Sequence, residues 1–219
     1  MNKLFVLIIN ILLITNVFTF RVLAQKNEPF TIYTFSDDIM SSVNMVEVNT
    51  LNSSLTLNGD SNAGAVVEMF VSGNSSESRR RKWSEDEIKK YLEENHTIEV
   101  KVDGEKLLIT VKQKNKGADL FSISFKITVP KQMNTHLITV NGSITLDNLS
   151  GSQKFQTVNG SLTVNNISGT ISGKTVNGSI TVTNSKDDIN LSTINGSITA
   201  TNCDGKVNLS TVNGKVKRK

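Results

Sequence analysis

The sequence predicts an all-β protein: a parallel β-solenoid, or β-helix, whose eighteen-residue coils each hold two nine-residue strand units. Three observations predict it. From Val140 onward the chain reads VNGSITLDN, LSGSQKFQT, VNGSLTVNN, ISGTISGKT, VNGSITVTN, SKDDINLST, INGSITATN, CDGKVNLST and VNGKVKRK. Odd and even segments differ, and Asn141, Asn159, Asn177, Asn195 and Asn213 mark a true period of eighteen. A fixed short period is the mark of stacked units that bury their apolar sides only against neighbours. Within a unit, aliphatic residues such as Val140, Ile144 and Leu146 alternate with Asn141, Ser143 and Thr145. Alternation with period two is a half-buried strand.

Residues 1–24 read as a secretory signal. Lys3 supplies the positive start, Leu4 to Phe20 is almost wholly apolar, and Val22-Leu23-Ala24 is a small-residue cleavage site before Gln25. An uncleaved anchor is the rival, since the apolar run reaches the lower edge of a spanning length. No other segment could span a membrane as a helix, and no Cys follows the apolar run to carry a lipid. Residues 25–41 carry no periodicity and read as a flexible lead-in. The solenoid is assigned to 42–219, with a loop and helix inserted over 72–96. Leu51 to Gly59 (LNSSLTLNG) is an early copy of the nonapeptide with Ser in the Gly slot. Residues 65–71 read as a strand and 72–82 as a loop.

A short helix follows. Ser84 and Glu87 form a capping box, and Trp83 can staple onto Ile88. Glu85 and Asp86 suit the positive end of the helix dipole, and Ile88, Tyr91 and Leu92 make one apolar stripe. Residues 97–102 and 106–111 alternate around Asp103-Gly104, a hairpin signal. Phe121, Ile123, Phe125, Ile127 and Val129 alternate up to Pro130.

In the repeats, positions one, five and seven are expected inside, and two, four and six outside. Positions eight and nine break the parity and turn the chain. Position three is Gly in eight of nine units, which lets the two walls approach or permits a positive φ. Asp187 replaces that Gly. Register places Lys186 with Asp204, and Asp188 with Lys206, in shared outward columns, where opposite charges attract and fix the register. Lys215, Lys217, Arg218 and Lys219 load the last unit with charge that discourages edge-to-edge stacking.

Composition narrows the function classes. Aromatics are only 5% of the 219 residues, which suits thin aliphatic columns. The formal charge is +4, and removal of Lys3 and Arg21 with the signal lowers it further. With no helix-turn-helix, zinc-finger or aromatic-basic pattern, no nucleic-acid partner is expected. Cys203 is the single cysteine and occupies a position-one slot, where it reads as a small buried hydrophobe. His96 and His136 lie in no metal-ligand spacing. No phosphate loop or Ser-His-Asp set is present. The expectation is therefore no catalytic residue, no cofactor and no metal.

Three candidates remain. Ser143, Ser161, Ser179 and Ser197, with Thr145, Thr163, Thr181 and Thr199, form a regular grid on the outward face of one wall and are the candidate ligand-facing surface. Ladders of such residues also suit strands by themselves, and no exposed aromatic accompanies them to stack on sugars. Arg79, Arg80, Arg81 and Lys82 form the densest charge cluster, either a solvated loop or a patch for acidic glycans or lipid headgroups. Asp187 and Asp188, the adjacent carboxylates of the repeat region, are what a β-helical carbohydrate-active enzyme would use. The Asn-Gly-Ser triplets are read as strand positions rather than glycosylation acceptors.

The repeated TVNGSITL, the capped helix, the hairpin and the strand FSISFKITVP together resemble the bacterial putative-adhesin domain family, over roughly residues 42 to 219. The resemblance implies a noncatalytic β-solenoid of the cell envelope, exported to the periplasm or outer surface, related to auto-transporter adhesin heads. Envelope or host glycans, or surface proteins, are the partners it implies. It transfers no catalytic residue. The alternatives are a structural or stress-related envelope protein without a specific ligand, and the enzyme reading above.

Overall fold

The computed structural model describes residues 28–60, 64–115, 117 and 119–219. The expected signal segment and its cleavage site lie outside the described residues. The chain begins with β1 (Thr31–Phe35), α1 (Asp37–Met40), β2 (Met45–Asn49), β3 (Ser53–Asp60) and β4 (Ala65–Gly73). Then come α2 (Ser76–Arg80), α3 (Glu85–Asn95), β5 (His96–Asp103), β6 (Lys106–Gln113), β7 (Phe121–Pro130) and β8 (Asn134–Ile138). Nine short strands complete it: β9 (Ile144–Asp147), β10 (Gln153–Gln156), β11 (Leu162–Asn165), β12 (Ile171–Lys174), β13 (Ile180–Thr183), β14 (Ile189–Thr193), β15 (Ile198–Thr201), β16 (Val207–Thr211) and β17 (Val216–Arg218).

These elements make an all-β structure of two sheets rich in parallel pairing. One has nine strands, ordered β1-β4-β7-β3-β9-β11-β13-β15-β17, and the other eight, ordered β16-β14-β12-β10-β8-β2-β6-β5. From β8 onward the chain alternates between the sheets. Each strand pairs in parallel with the one eighteen residues on, as Leu162 beside Ile180 and Ile171 beside Ile189. Only β1, β4 and β5 run against their neighbours.

The core lies between the sheets. Ile144, Leu146, Leu162, Val164, Ile180 and Val182 from one sheet, and Phe155, Ile171, Ile189 and Leu191 from the other, are buried in it. Burying each such side chain contributes about 1.5–3 kcal/mol relative to exposure. Phe155 takes up volume that Gly173 leaves empty. A Cβ on Gly173 would meet the Phe155 ring at 2.4 Å and Leu191 Cδ2 at 2.7 Å.

The strand alternation inferred from the sequence holds for positions five and seven but fails at position one of the odd units. Val158, Ile194 and Val212 are 38%, 44% and 72% exposed. The cause is that positions one to three are bends between the sheets, not strand. Position nine takes the inward slot instead. Thr157, Thr175 and Thr193 are buried there, and their hydroxyls donate at 2.9 Å to the carbonyls of Gly142, Gly160 and Gly178.

The glycines do not bring opposite walls together. A Cβ on Gly160 would stand 2.1 Å from the Gly142 carbonyl oxygen, in the neighbouring layer of the same stack. In the even units Gly169 and Gly205 have φ of 136° and 94°, so the positive-φ alternative applies there. Asp187 shares that conformation at φ 71°, which accounts for the break in the Gly column without giving it a role.

Two further expectations are corrected. The lead-in contains regular structure: β1 pairs antiparallel with β4, and α1 follows it. Its Ile32 and Tyr33 gain backbone partners from a segment more than thirty residues away, which no local pattern announces. The described chain holds three helices rather than one, because Asp37–Met40 and Ser76–Arg80 each close a single turn. The capped helix is as expected: Ser84 Oγ accepts from Glu87 N, the Glu87 carboxylate accepts from Ser84 N, and Leu92 is buried. The hairpin turn falls on Gly104 and Glu105, between the paired Asp103 and Lys106, with Gly104 at φ 59°.

Candidate binding surface

The outward face of the nine-stranded sheet is built by register. Thr56, Thr145, Thr163, Thr181 and Thr199 follow one another as direct partners in β3, β9, β11, β13 and β15, and Lys217 ends the column. At the other end Thr56 meets Lys126, whose ammonium lies 2.8 Å from Glu68. Neighbouring strands stand ~4.8 Å apart and alternate residues along a strand ~6.8 Å apart. The result is a regular lattice of hydroxyls.

Ser143, Ser161, Ser179 and Ser197 lie beside it, just before each strand. Ser161 N donates to Ser143 Oγ at 3.3 Å, and Lys215 N to Ser197 Oγ at 3.3 Å. All eight residues of the candidate grid are therefore brought onto one side of the molecule, half-buried or exposed. Among the described residues, the hydroxyls of Thr145, Thr163, Thr181 and Thr199 have no protein partner.

Three further columns run beside this lattice, of which the sequence placed the first, the Asn column at position two, on the outward face. In it, Asn52, Asn141, Asn159, Asn177, Asn195 and Asn213 form a continuous ladder, each side-chain amide donating to the one before at 2.7–2.8 Å. Its period and its outward placement were both legible in the sequence. Next to it runs the exposed aliphatic column of Leu51, Val158, Ile194 and Val212. On the far side Asn148, Asn166, Asn184 and Asn202 turn the corner at φ of 50–57°. Asn is the non-Gly residue that best tolerates that conformation, and the parity break at position nine was its signal.

Half of the basic cluster has protein partners. Arg81 pairs with Glu87 and lies 4.3 Å over the Trp83 ring, and Arg79 Nε donates to the Gly73 carbonyl at 3.2 Å. Trp83 in turn packs edge-on against Phe121. Arg80 and Lys82 are exposed. Two of the four cations therefore help to dock the α2–α3 insertion.

Asp187 and Asp188 are exposed. Asp188 does align with Lys206 beside the paired Ile189 and Val207, but no ion pair joins them, nor Lys186 with Asp204. At exposed positions solvent screening and side-chain entropy outweigh the weak attraction.

A buried polar cluster lies elsewhere, under the insertion. His96 Nε2 stands 3.0 Å from Asp119 Oδ1, and Asp119 also accepts from Gln113 and Asn52. The cavity beside it, bounded by Ser53, His96 and Phe121, is about 10 Å³. That is room for one water molecule, not a substrate. Nothing in the sequence couples His96 to Asp119, which lie on different elements. Among the described residues, no group of three His, Cys, Asp or Glu side chains could hold a metal ion.

The chain is similar to solved bacterial structures. A putative cell adhesion protein from Clostridium sporogenes matches at 11% identity and TM-score 0.41, over 86% of this chain and 98% of that one. A putative adhesin from Bacteroides fragilis matches at 11% identity and TM-score 0.38, over 86% and 97%. A putative adhesin from Parabacteroides merdae matches at 11% identity and TM-score 0.24, over 89% and 97%. No family model and no curated protein matches the sequence. No helix among the described residues is long and apolar enough to cross a membrane.

Proposed function

We propose that the alternation between sheets winds as a β-solenoid, and that the protein is an exported, noncatalytic, adhesin-like module. It binds envelope or host glycans, or surface proteins, through the hydroxyl lattice of the nine-stranded sheet. One observation carries the reading. Each Asn of the ladder spends one N–H and one oxygen lone pair on its neighbours, whereas the adjacent Thr145, Thr163, Thr181 and Thr199 hydroxyls are left wholly to solvent or ligand. An array of hydroxyls at a fixed repeat suits an extended polymer more than a small molecule, which favours concave sites. The nonapeptide's family resemblance supports the same reading, and the exposed Asp187-Asp188 step offers nothing that would bury and activate a carboxylate.

The test is a binding screen of the purified protein against glycans and envelope fractions, repeated with Thr163→Arg/Thr181→Arg. Those positions are outward, so the fold should persist while two long cations break the lattice. Loss of at least about tenfold in affinity is expected, the scale of one well-placed contact. Unchanged binding by the double variant would move the ligand off this face. Absence of any ligand would favour the structural envelope role.

A further inference from the structure

Helices α2 and α3 interrupt the strands between β4 and β5, and residues 81–84 join them without helix or strand. Arg79, Arg80, Arg81 and Lys82 run across that junction, and all four are exposed. They are not equivalent. Arg79 is bonded to the Gly73 carbonyl, and Arg81 is held by Glu87 and the Trp83 ring. Among the described residues, the side chains of Arg80 and Lys82 have no protein partner. A free Arg or Lys side chain is what an endopeptidase with an acidic primary pocket takes up.

The backbone around these two residues opens at low cost. Helix α2 is five residues long, and a single turn fixes many dihedrals for few hydrogen bonds. Beyond Arg79, the bonds that tie it down are those between Ser75 and Ser78. Ser84, two residues after Lys82, is already extended at φ −73° and ψ 160°. Exposed polar junctions are where nicking concentrates. Where opening and closing are fast, its rate follows the population of the opened form.

The strands on the two sides of the junction interleave. β3, from before it, lies between β7 and β9, and β2 lies between β6 and β8, all four of which come after it. β4 also pairs with β7, so only the β1–β4 pair is internal to the first piece. Val46, Val48, Leu55, Leu57 and Val67 of that piece are buried in the common core. A cut at the junction therefore breaks no strand pair and uncovers no core residue. Without the first piece, each sheet of the second would lack a strand from its interior.

We propose that the α2–α3 junction is a processing site for an endopeptidase that cleaves after Arg or Lys, and that the product is a two-chain protein locked together through β2, β3 and β4. The step is hydrolysis of the Arg80–Arg81 or Lys82–Trp83 peptide bond. Water adds across the amide, leaving a carboxylate on Arg80 or Lys82 and an amine on Arg81 or Trp83. The hydroxyl lattice takes Thr56 from the first piece and Thr145, Thr163, Thr181 and Thr199 from the second, so it survives the cut. The inference concerns the insertion and holds whatever that lattice binds.

The experiment is limited digestion of the purified protein with trypsin, followed by intact mass spectrometry and by gel filtration in buffer and in concentrated urea. The first internal cut is expected after Arg80 or Lys82. The two pieces should elute together in buffer, at the volume of the uncut protein and with its circular dichroism, and separate only in urea. Arg80→Gln/Lys82→Gln keeps the two held cations and is expected to slow that cut about tenfold or more. Its urea midpoint should match the parent's, which excludes a change in global unfolding as the cause. A first internal cut elsewhere, such as after Lys114 or Lys131, would overturn the proposal. So would resistance of the junction to cleavage, pieces that part in buffer, or cleavage of the double variant at the parent rate.

Discussion

Gly178→Ala should be among the most damaging single-methyl additions this protein can receive. The added Cβ would stand 2.0 Å from the Gly160 carbonyl oxygen, 2.6 Å from its carbon and 3.1 Å from Ser161 N, whereas ordinary contact is 3.4–4 Å. Every obstructing atom is backbone, so no rotamer change relieves the clash. Clearing it needs a shift of more than about 1 Å between strands that stand ~4.8 Å apart. The bonds flanking the contact, Asn177 N to Val158 O at 2.7 Å and Leu162 N to Ser179 O at 3.0 Å, would stretch out of range. Overpacking costs about 1–3 kcal/mol. Two weakened hydrogen bonds add about 0.5–1.5 kcal/mol each. The total, about 2–6 kcal/mol, is a large part of a typical stability of ~5–15 kcal/mol. Two controls separate the causes. Thr181→Val places a β-branched residue on an exposed strand site and should cost less than ~0.5 kcal/mol. Gly104→Ala meets nothing within 4 Å but sits at φ 59°, so it should show backbone strain alone, about 1–2 kcal/mol. Urea unfolding followed by circular dichroism gives the midpoints. If Gly178→Ala and Thr181→Val unfold at the same urea concentration, the close approach of successive layers is wrong.

Other expectations follow from the same geometry. Thr157→Val should cost about 1–3 kcal/mol in thermal or urea denaturation, because its buried hydroxyl serves the Gly142 carbonyl and the methyl cannot. Asp188→Lys and Lys206→Asp should shift stability independently, with a coupling under ~0.5 kcal/mol in a double-mutant cycle; a larger rescue would restore the ladder pair that the structure does not form. Glu87 is held below its ordinary carboxylate value of 4.5, first by the Ser84 backbone N–H and then by Arg81. A lowered folded-state value means the cap is complete above pH 4.5 and is lost as pH falls through the lowered value. Amide protection factors in α3, in which the intrinsic pH dependence of exchange is divided out, should therefore fall on acidification below that point, and Glu87→Gln should flatten the response.

The sequence by itself determined what depends on near neighbours along the chain. Alternation in Ile144 to Leu146 and its copies gave the strands, because side chains on a strand face opposite ways whatever it packs against. Ser84, Glu87 and the stripe through Leu92 gave α3, because a capping box is satisfied within four residues. The period of eighteen placed the Ser and Thr columns on one face, because equal spacing forces equal register. Tertiary structure decided the rest. Val158, Ile194 and Val212 look like core residues, yet they fall in bends whose direction is set by Thr157, Thr175 and Thr193 bonding to glycine carbonyls across layers. β1 reads as irregular because its partner is β4, and the β2–β3 layer packs on β8 and β9 although some ninety residues intervene. His96 meets Asp119 only once β5 and the segment leading into β7 come together. Such contacts are chosen by the competition among all the surfaces a chain can bury, and a local pattern records only one side of each.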